Sequence, residues 1–209
     1  ATRCHAPVLS GVAVVTRRRS PGRTPRSGTR QVAAVGAESG AAATGGGVQA
    51  LPALRELDFG EWEGQAVADV EAQYRDAFAR LRSSDPTFCP PGGESWCDVI
   101  LRLRSVLEVL RRDHVADRVL IVGHQVIVNC FRYLLEHLDE AAILDIDRQA
   151  DVPNCGLTEY ALQDITQTSA CFRLVAANQV APMLDEGAAV TVAPGQSASA
   201  GLRETGAGS

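Results

Sequence analysis

The sequence predicts an α/β fold, because helical and strand patterns alternate along most of its 209 residues. Several segments repeat apolar residues every three or four positions, as helices that bury one face do. Between two of them lies a short run of apolar residues and glycine, which is typical of a parallel strand covered on both faces. We therefore expect three layers, with helices on both faces of a mostly parallel sheet, and enough hydrophobic residues (45%) for one domain with a core.

The first fifty residues differ from the rest in charge and composition. They hold seven of the 20 arginines and one acidic residue, whereas the remainder of the chain holds 13 arginines and 24 acidic residues. Residues 9–16 are apolar around their centre and predict a strand, and residues 33–47 are rich in Ala, Gly and Ser, as linkers are. We expect an irregular segment over residues 1–50, a folded domain over 51–184 and a flexible tail over 185–209.

Two helices are predicted in the first part of the folded domain. Gln65–Arg82 places apolar residues on one helical face. After a break rich in Pro and Gly, Ser95 and Asp98 have the spacing of a capping box at the start of a second helix. That helix ends near Arg111 and Arg112, where positive charge is favourable.

A buried strand, a third helix and two further strands follow. Val119–Gly123 is the apolar run, and His124 comes directly after it. Gln125–Leu138 has the apolar spacing of a helix. Later strands are predicted over Gly156–Leu162 and Phe172–Ala177.

The composition excludes several kinds of function. The net charge is −5, which predicts that nucleic acid is not the partner. No apolar run is long enough to cross a bilayer, so we expect no membrane partner either. All 20 basic residues are arginine, which rules out Schiff-base chemistry and a Walker-type phosphate lysine. The six cysteines form no C-x-x-C pair and the chain shows no signal peptide, so we expect a cytoplasmic protein with free thiols.

His124 is the most informative position for function. It follows the buried strand and precedes a helix, and ligands of open α/β sheets bind at such carboxyl ends of strands. The N–H groups that open the helix favour an anion there, and an imidazolium adds a positive charge and a hydrogen-bond donor. The alternative is a histidine that only caps the helix.

Two glutamates lie in segments that mix carboxylates with aromatic residues and glycine. Glu56 belongs to L-R-E-L-D-F-G-E-W-E-G, and a carboxyl group held against aromatic rings has its pKa raised by desolvation, which suits a general acid. The alternative for this stretch is a solvated acidic loop. Glu94 belongs to P-P-G-G-E-S-W, where a carboxylate beside a helix N-terminus is favourable without any catalytic role.

The order and rough spacing of these motifs resemble those of a known family. The chain is similar to the histidine phosphatase superfamily, which has the phosphoglycerate-mutase-like fold, over about residues 52–181. It looks most like small bacterial phosphatases and the fructose-2,6-bisphosphatase type. The motifs are L-R-E-L-D-F-G-E-W-E-G, P-P-G-G-E-S-W, the pair Arg102-Leu103, V-L-I-V-G-H-Q and P-N-C at Pro153–Cys155.

The resemblance implies hydrolysis of a small phosphorylated metabolite through a phosphohistidine. By motif, His124 matches the family's second histidine, which holds phosphoryl oxygens, and Glu56 matches the acid that protonates the leaving oxygen. Gln125 matches a residue that lines the phosphate site, partly through its backbone N–H. The family's chemistry implies no metal and no other cofactor, because arginine and histidine cations stabilise the phosphoryl group.

The family's nucleophilic histidine, which lies in an R-H-G motif, lacks a clear counterpart. In one interpretation His5, in T-R-C-H-A, takes its place. In a second, residues 12–16 are the first strand and Arg18 falls at the nucleophile's position, which it cannot serve because it stays protonated. In a third, which we favour, residues 12–16 are a later strand, the first strand is missing, and Arg23 is the second phosphate ligand. The alternatives to Arg23 are Arg26 and Arg30.

Two functions of different class follow from these interpretations. The chain is either a phosphatase of small metabolites, or a remnant without the nucleophile that binds phosphate or a partner protein. A reactive imidazole at the pocket distinguishes them. A third interpretation is an incomplete gene product, since the chain does not begin with Met.

Overall fold

The computed structural model describes residues 11–17, 29–33, 48–83, 85–114, 118–149, 152–153, 155–162 and 172–180. Within these residues there are six strands and five α-helices. The strands are β1 (Gly11–Arg17), β2 (Thr29–Ala33), β3 (Val48–Ala50), β4 (Arg118–Gly123), β5 (Gly156–Leu162) and β6 (Phe172–Gln179). The helices are α1 (Val67–Gln73), α2 (Arg75–Arg82), α3 (Trp96–Asp113), α4 (Gln125–Glu136) and α5 (Glu140–Gln149).

The strands form one sheet in the order β3-β2-β4-β1-β5-β6. The pairs β2–β3, β2–β4 and β1–β5 are parallel, whereas β1–β4 and β5–β6 are antiparallel. Three of the five neighbouring pairs are therefore parallel, and helices connect the later strands. This confirms the predicted α/β class with a mostly parallel sheet.

Strand β1 lies in the middle of the sheet and runs opposite to β4. Gly11 pairs with Gly123 and Val15 with Val119, so β1 begins at the sheet edge where β4 ends. In the family that the sequence resembles, the first strand is central. The structure therefore has a strand where the sequence predicted one, and the favoured interpretation, that the family's first strand is missing, stays a prediction. The position of β1 depends on hydrogen bonds to distant strands, which local sequence does not reveal.

The predicted helix over Gln65–Arg82 is divided into α1 and α2 at Tyr74. The backbone of Tyr74 leaves the helical region, with φ −121° and ψ 44°. This break lets the Tyr74 ring pack against Trp62, with 5.6 Å between ring centroids. Packing against a distant aromatic ring thus interrupts a sequence that has helical spacing throughout.

The next two helices agree with the sequence at their starts. The Ser95 hydroxyl accepts a hydrogen bond from the Asp98 N–H, and the Asp98 carboxylate accepts one from the Ser95 N–H, which completes the predicted capping box. Helix α4 begins at the predicted Gln125 and ends two residues early, because His137 takes a left-handed conformation with φ 55°. Strand β6 is two residues longer than predicted and ends at Gln179.

Three elements were not predicted. Strands β2 and β3 lie in the segment expected to be irregular, and they are five and three residues long. Helix α5 fully buries only Ile143 and Asp147. No stripe of apolar residues therefore marked this helix in the sequence. The boundaries at residues 50 and 184 stay predictions, and the predicted tail over 185–209 lies outside the described residues.

Two apolar clusters hold the described helices in place. The larger one joins α3, α4 and β4 and includes Leu54 and Leu57, on either side of Glu56. The smaller one surrounds Trp62, whose ring meets those of Phe78 and Phe88 at 6.5 and 5.8 Å. Within the part of the chain that the structure describes, no helix has both the length and the apolar character needed to cross a bilayer.

Candidate active site

Glu56 and His124 lie together at the carboxyl end of β4. Their closest atoms, Glu56 Oε2 and His124 Nδ1, are 3.6 Å apart. The Glu56 side chain is 7% exposed and the His124 side chain 15%. The structure thus brings together, in a largely buried place, the two catalytic residues predicted 68 positions apart in the sequence.

The Glu56 carboxyl group is held by the backbone of the next residue. Its Oε1 accepts a hydrogen bond of 2.8 Å from the Leu57 N–H. The other oxygen, Oε2, is buried and has no hydrogen bond to any other described residue. Incompletely bonded buried polar atoms are uncommon in folded proteins. The oxygen that faces His124 therefore keeps unused hydrogen-bonding capacity towards the described residues.

His124 occupies the junction between β4 and α4. It is the N-cap residue of α4, and its carbonyl accepts the first helical hydrogen bond, 3.0 Å from the Val128 nitrogen. Its side chain does not cap the helix. The alternative prediction, a histidine that only caps the helix, therefore does not describe this imidazole. The first N–H groups of α4, which have no partner within the helix, lie next to this residue.

The loop that carries Glu56 packs backbone to backbone against the Pro-Gly turn before α3. Gly60 has φ +56°, and a Cβ atom there would lie 2.2 Å from the Pro91 carbonyl oxygen. The Glu61 N–H donates to that same oxygen (2.9 Å), and the Glu94 N–H donates to the Asp58 carbonyl (2.8 Å). This close approach explains the glycine in the first motif.

Glu94 is a hub that joins this loop to helix α3. Arg102 donates to both of its oxygens, from Nε to Oε1 (3.1 Å) and from Nη2 to Oε2 (3.0 Å). Arg55 Nη2 donates to Oε1 (2.8 Å), and the Asp58 N–H donates to Oε2 (3.3 Å). Glu94 thus does more than favour a helix N-terminus, and its filled oxygens separate its role from that of Glu56.

Arg102 also binds the backbone on both sides of the Glu56 turn. Its Nη1 donates to the Ala53 carbonyl (2.6 Å) and its Nη2 to the Glu56 carbonyl (3.2 Å). The planar guanidinium therefore fixes three separate acceptors at once. We call Glu94 and Arg102 the Glu56 clamp. The Arg102-Leu103 pair was the sequence signal for this clamp. Its spacing alone did not show what Arg102 does.

The side chain of Gln125 is turned away from His124. It is fully buried, donates from Nε2 to Asp147 Oδ1 (3.0 Å) and accepts from the Val152 N–H (3.1 Å). Its backbone N–H lies in the first turn of α4, so a role in lining a phosphate site would fall to that group. Gln125 as a phosphate ligand stays a prediction. The sequence did not predict a role for Asn129 or Asp147. The signal for Asn129 was its place on the buried face of the helix, four positions after Gln125.

The predicted phosphate ligand Arg23 and the candidate nucleophile His5 lie outside the described residues, as do Arg18 and Arg26. The strand ends that flank Arg23, at Arg17 and Thr29, lie at the sheet edge where β4 begins, opposite His124. The start of β1, which follows His5 in the chain, lies at the same edge as His124. Arg23 therefore stays a prediction that this topology does not favour.

Two other histidines are described, and both lie at helix ends. His114 follows α3 and His137 follows α4. Among the described residues, no group of three or more His, Cys, Asp or Glu side chains is arranged to hold a metal ion. That the site works without a metal or another cofactor stays a prediction.

The family model of the histidine phosphatase superfamily (branch 1) matches residues 26–173. The chain belongs to this superfamily. The match begins within the first fifty residues, so the family relationship reaches further towards the N-terminus than the motifs indicated. The resemblance and the fold expected from the sequence are thereby confirmed.

Two curated relatives act on, or are named for, fructose 2,6-bisphosphate. Fructose-2,6-bisphosphatase of Saccharomyces cerevisiae is 35% identical over 78 residues, which cover 37% of this chain and 17% of that protein. The 6-phosphofructo-2-kinase/fructose-2,6-bisphosphatase of Gallus gallus is 33% identical over 90 residues, covering 42% and 18%. The chain thus spans less than a fifth of the length of these relatives.

A solved structure extends the likeness over more of the chain. Native mycobacterial glucosyl-3-phosphoglycerate phosphatase superposes with a TM-score of 0.60 at 25% identity, covering 75% of this chain and 77% of that one. The relatives therefore include phosphatases of small phosphorylated metabolites.

Proposed function

We propose that this chain hydrolyses a phosphomonoester of a small metabolite, with Glu56 as proton donor and His124 as a ligand of the phosphoryl oxygens. The observation that carries the proposal is the 3.6 Å approach of Glu56 Oε2 to His124 Nδ1 in a largely buried site. A carboxyl group and an imidazole at this separation are close enough to act on neighbouring atoms of one phosphoester group. Membership of the superfamily supplies the reaction class.

The electrostatics of the first turn of α4 support this assignment. The N–H groups that open a helix favour an anion, and an imidazolium at the N-cap adds a positive charge. The two arginines that touch the Glu56 loop, Arg55 and Arg102, are both bonded to Glu94. Additional positive charge for the phosphoryl group would therefore come from other arginines, and the predicted Arg23 is not favoured for this by the sheet topology.

The reaction proposed from the family resemblance has two steps. A nucleophilic imidazole attacks phosphorus, the P–O ester bond breaks, and Glu56 gives its proton to the leaving oxygen. Water then attacks the phosphorus of the phosphohistidine, the Glu56 carboxylate takes a proton from that water, and the P–N bond breaks, which releases phosphate and regenerates the imidazole. His124 stabilises the phosphoryl oxygens in both steps.

We propose His5 as the nucleophile. Gly11, the first residue of β1, pairs with Gly123, which directly precedes His124. Six residues of extended chain span up to about 20 Å, so the segment before β1 is long enough for its histidine to reach the site. Strand β1 ends with Arg17 at the opposite sheet edge, which argues against the interpretation that gave Arg18 the nucleophile's position.

Phosphohistidine trapping tests this proposal. The chain is incubated with a radiolabelled aryl phosphate, quenched in alkali, and compared with His5→Ala, His124→Ala and His137→Ala. We expect acid-labile label in the parent chain and in the His137 control, none in His5→Ala, and reduced labelling in His124→Ala. If the parent chain shows no label and no turnover, the proposal that it is an enzyme is contradicted.

A specific observation supports the second candidate, a protein that binds phosphate or a partner without catalysis. The R-H-G motif is missing, and among the described residues His124 is the one imidazole that the structure brings to Glu56. Titration with inorganic phosphate distinguishes the two candidates. Binding that depends on His124, without turnover of any aryl phosphate, would establish the second. The absence of nucleic-acid and membrane partners and the cytoplasmic location stay predictions.

A further inference from the structure

A buried carboxylate lies behind the first turn of α4, in a place that the proposed chemistry does not use. Asp147, near the end of α5, is 4% exposed. Its Oδ1 accepts hydrogen bonds of 3.0 Å from both Gln125 Nε2 and Asn129 Nδ2. The two donors are four residues apart, so they stand one turn apart on one face of α4.

Burying a carboxylate is unfavourable, and well-packed apolar side chains often stabilise a protein as much or more. A buried polar cluster therefore needs a reason other than stability. Such clusters fix one arrangement of the elements they join, because each hydrogen bond has a required direction.

The Gln125 amide has only one workable orientation in this cluster. A carboxylate accepts hydrogen bonds and cannot donate them, so the NH2 group of Gln125 must face Asp147. Its oxygen is thereby turned to the Val152 N–H, from which it accepts at 3.1 Å. Asp147 thus determines which way Gln125 points, and Gln125 in turn joins the start of α4 to the chain segment that enters β5.

Gln125 is the residue that follows His124. The oxygen and the nitrogen of its amide group are both hydrogen-bonded, which holds the first helical residue of α4 in place. The first N–H groups of α4 and the imidazole of His124 take their directions from the same backbone. A rotation of this turn would move both away from a phosphoryl group.

We propose that Asp147 is a positioning residue, which acts through Gln125 to hold the first turn of α4 and His124 in the geometry that receives a phosphoryl group. This rests on the proposed function, because it assumes that the turn binds phosphate. It assigns Asp147 no contact with substrate. The Gln125 side chain serves this support, and its backbone N–H faces the ligand.

The test compares Asp147→Ala and Asp147→Asn with a control that removes a hydrogen bond to the other end of α4. Asparagine keeps an oxygen that can accept from Gln125 and Asn129, whereas alanine removes it. The control is Tyr160→Phe, which removes a hydrogen bond of 2.6 Å from a buried Tyr160 hydroxyl to Glu136 at the other end of α4. Asp147→Ala and Tyr160→Phe each remove hydrogen bonding between α4 and a neighbouring element, and a carboxylate is the acceptor in both cases.

Affinity for inorganic phosphate is measured by calorimetry, and hydrogen exchange is followed in peptides covering residues 124–130. We expect Asp147→Ala to weaken phosphate binding about tenfold and to speed exchange in this segment about tenfold. Asp147→Asn should stay within about threefold of the parent chain in both. Tyr160→Phe should lower stability with no change in phosphate affinity.

Each outcome decides the matter. The proposal is overturned if Asp147→Ala leaves both readouts unchanged, if Asp147→Asn is as damaging as alanine, or if Tyr160→Phe weakens phosphate binding equally. If the parent chain binds no phosphate, the proposed function fails. In that case the hydrogen-exchange comparison still shows whether Asp147 holds the turn.

Discussion

Removal of the Arg102 guanidinium is the most informative single perturbation of the Glu56 clamp. Arg102→Met keeps much of the apolar stem but removes hydrogen bonds to both Glu94 oxygens and to the carbonyls of Ala53 and Glu56. The Arg102 and Glu94 side chains are 13% and 14% exposed. The variant therefore leaves a largely buried carboxylate without its main cation.

Loss of one partner of a buried ion pair costs about 3–5 kcal/mol. Glu94 retains bonds from Arg55 and from the Asp58 N–H, so we expect the lower end of this range, about 3 kcal/mol. For a chain of this size, that corresponds to a decrease in Tm of about 6–12 °C. Activity should fall further than stability alone explains, because a shift of about 1 Å in a catalytic group can cost about 100-fold in rate.

A matched control separates the two effects. Arg132 and Glu136 form a bidentate pair with side chains 13% and 17% exposed, near the end of α4 remote from His124. Arg132→Met should lower the free energy of unfolding in urea by a similar amount and leave kcat for an aryl phosphate unchanged. If both variants lose kcat equally, or if Arg102→Met keeps it at temperatures where the variant is folded, the positioning argument is refuted.

Two further predictions concern the loops around the site. Gly60→Ala should destabilise the fold and reduce activity, because its Cβ would lie 2.2 Å from the Pro91 oxygen and φ is +56°; left-handed strain alone costs about 1–3 kcal/mol, which thermal unfolding measures. The pKa of Asp85 is lowered to about 2, first by the Thr87 hydroxyl and then by Arg80. A lowered pKa means that the carboxylate stabilises the fold above pH 3.8 and loses this effect as the pH falls towards 2. Asp85→Asn should remove that part of the acid dependence in a pH series of unfolding curves.

The sequence predicted the elements whose stability is local. The capping box at Ser95, the apolar run of β4 and the apolar face of α4 each follow from neighbouring residues, and the structure has all three. The break at Tyr74 and the strands β2 and β3 depend on partners far along the chain. Local patterns carry no information about such partners.

The site was predictable to a similar degree. Motifs indicated Glu56 and His124, because the residues proposed to act directly on substrate stand in recognisable sequence surroundings. The supporting residues were harder to find, since Arg102 and Asp147 act through atoms of other residues. Gln125 shows the limit most clearly: its motif pointed to phosphate, and the structure turns its side chain towards Asp147.

The central claim, that Glu56 donates a proton to a leaving oxygen beside His124, is tested most directly by its dependence on the leaving group. Glu56→Gln is compared with the parent chain on phenyl phosphate, whose leaving oxygen needs a proton, and on 2,4-dinitrophenyl phosphate, whose leaving group departs without one. We expect kcat to fall about 100-fold on the first substrate and less than about tenfold on the second. Equal losses on both substrates, or no loss on phenyl phosphate, would contradict the account.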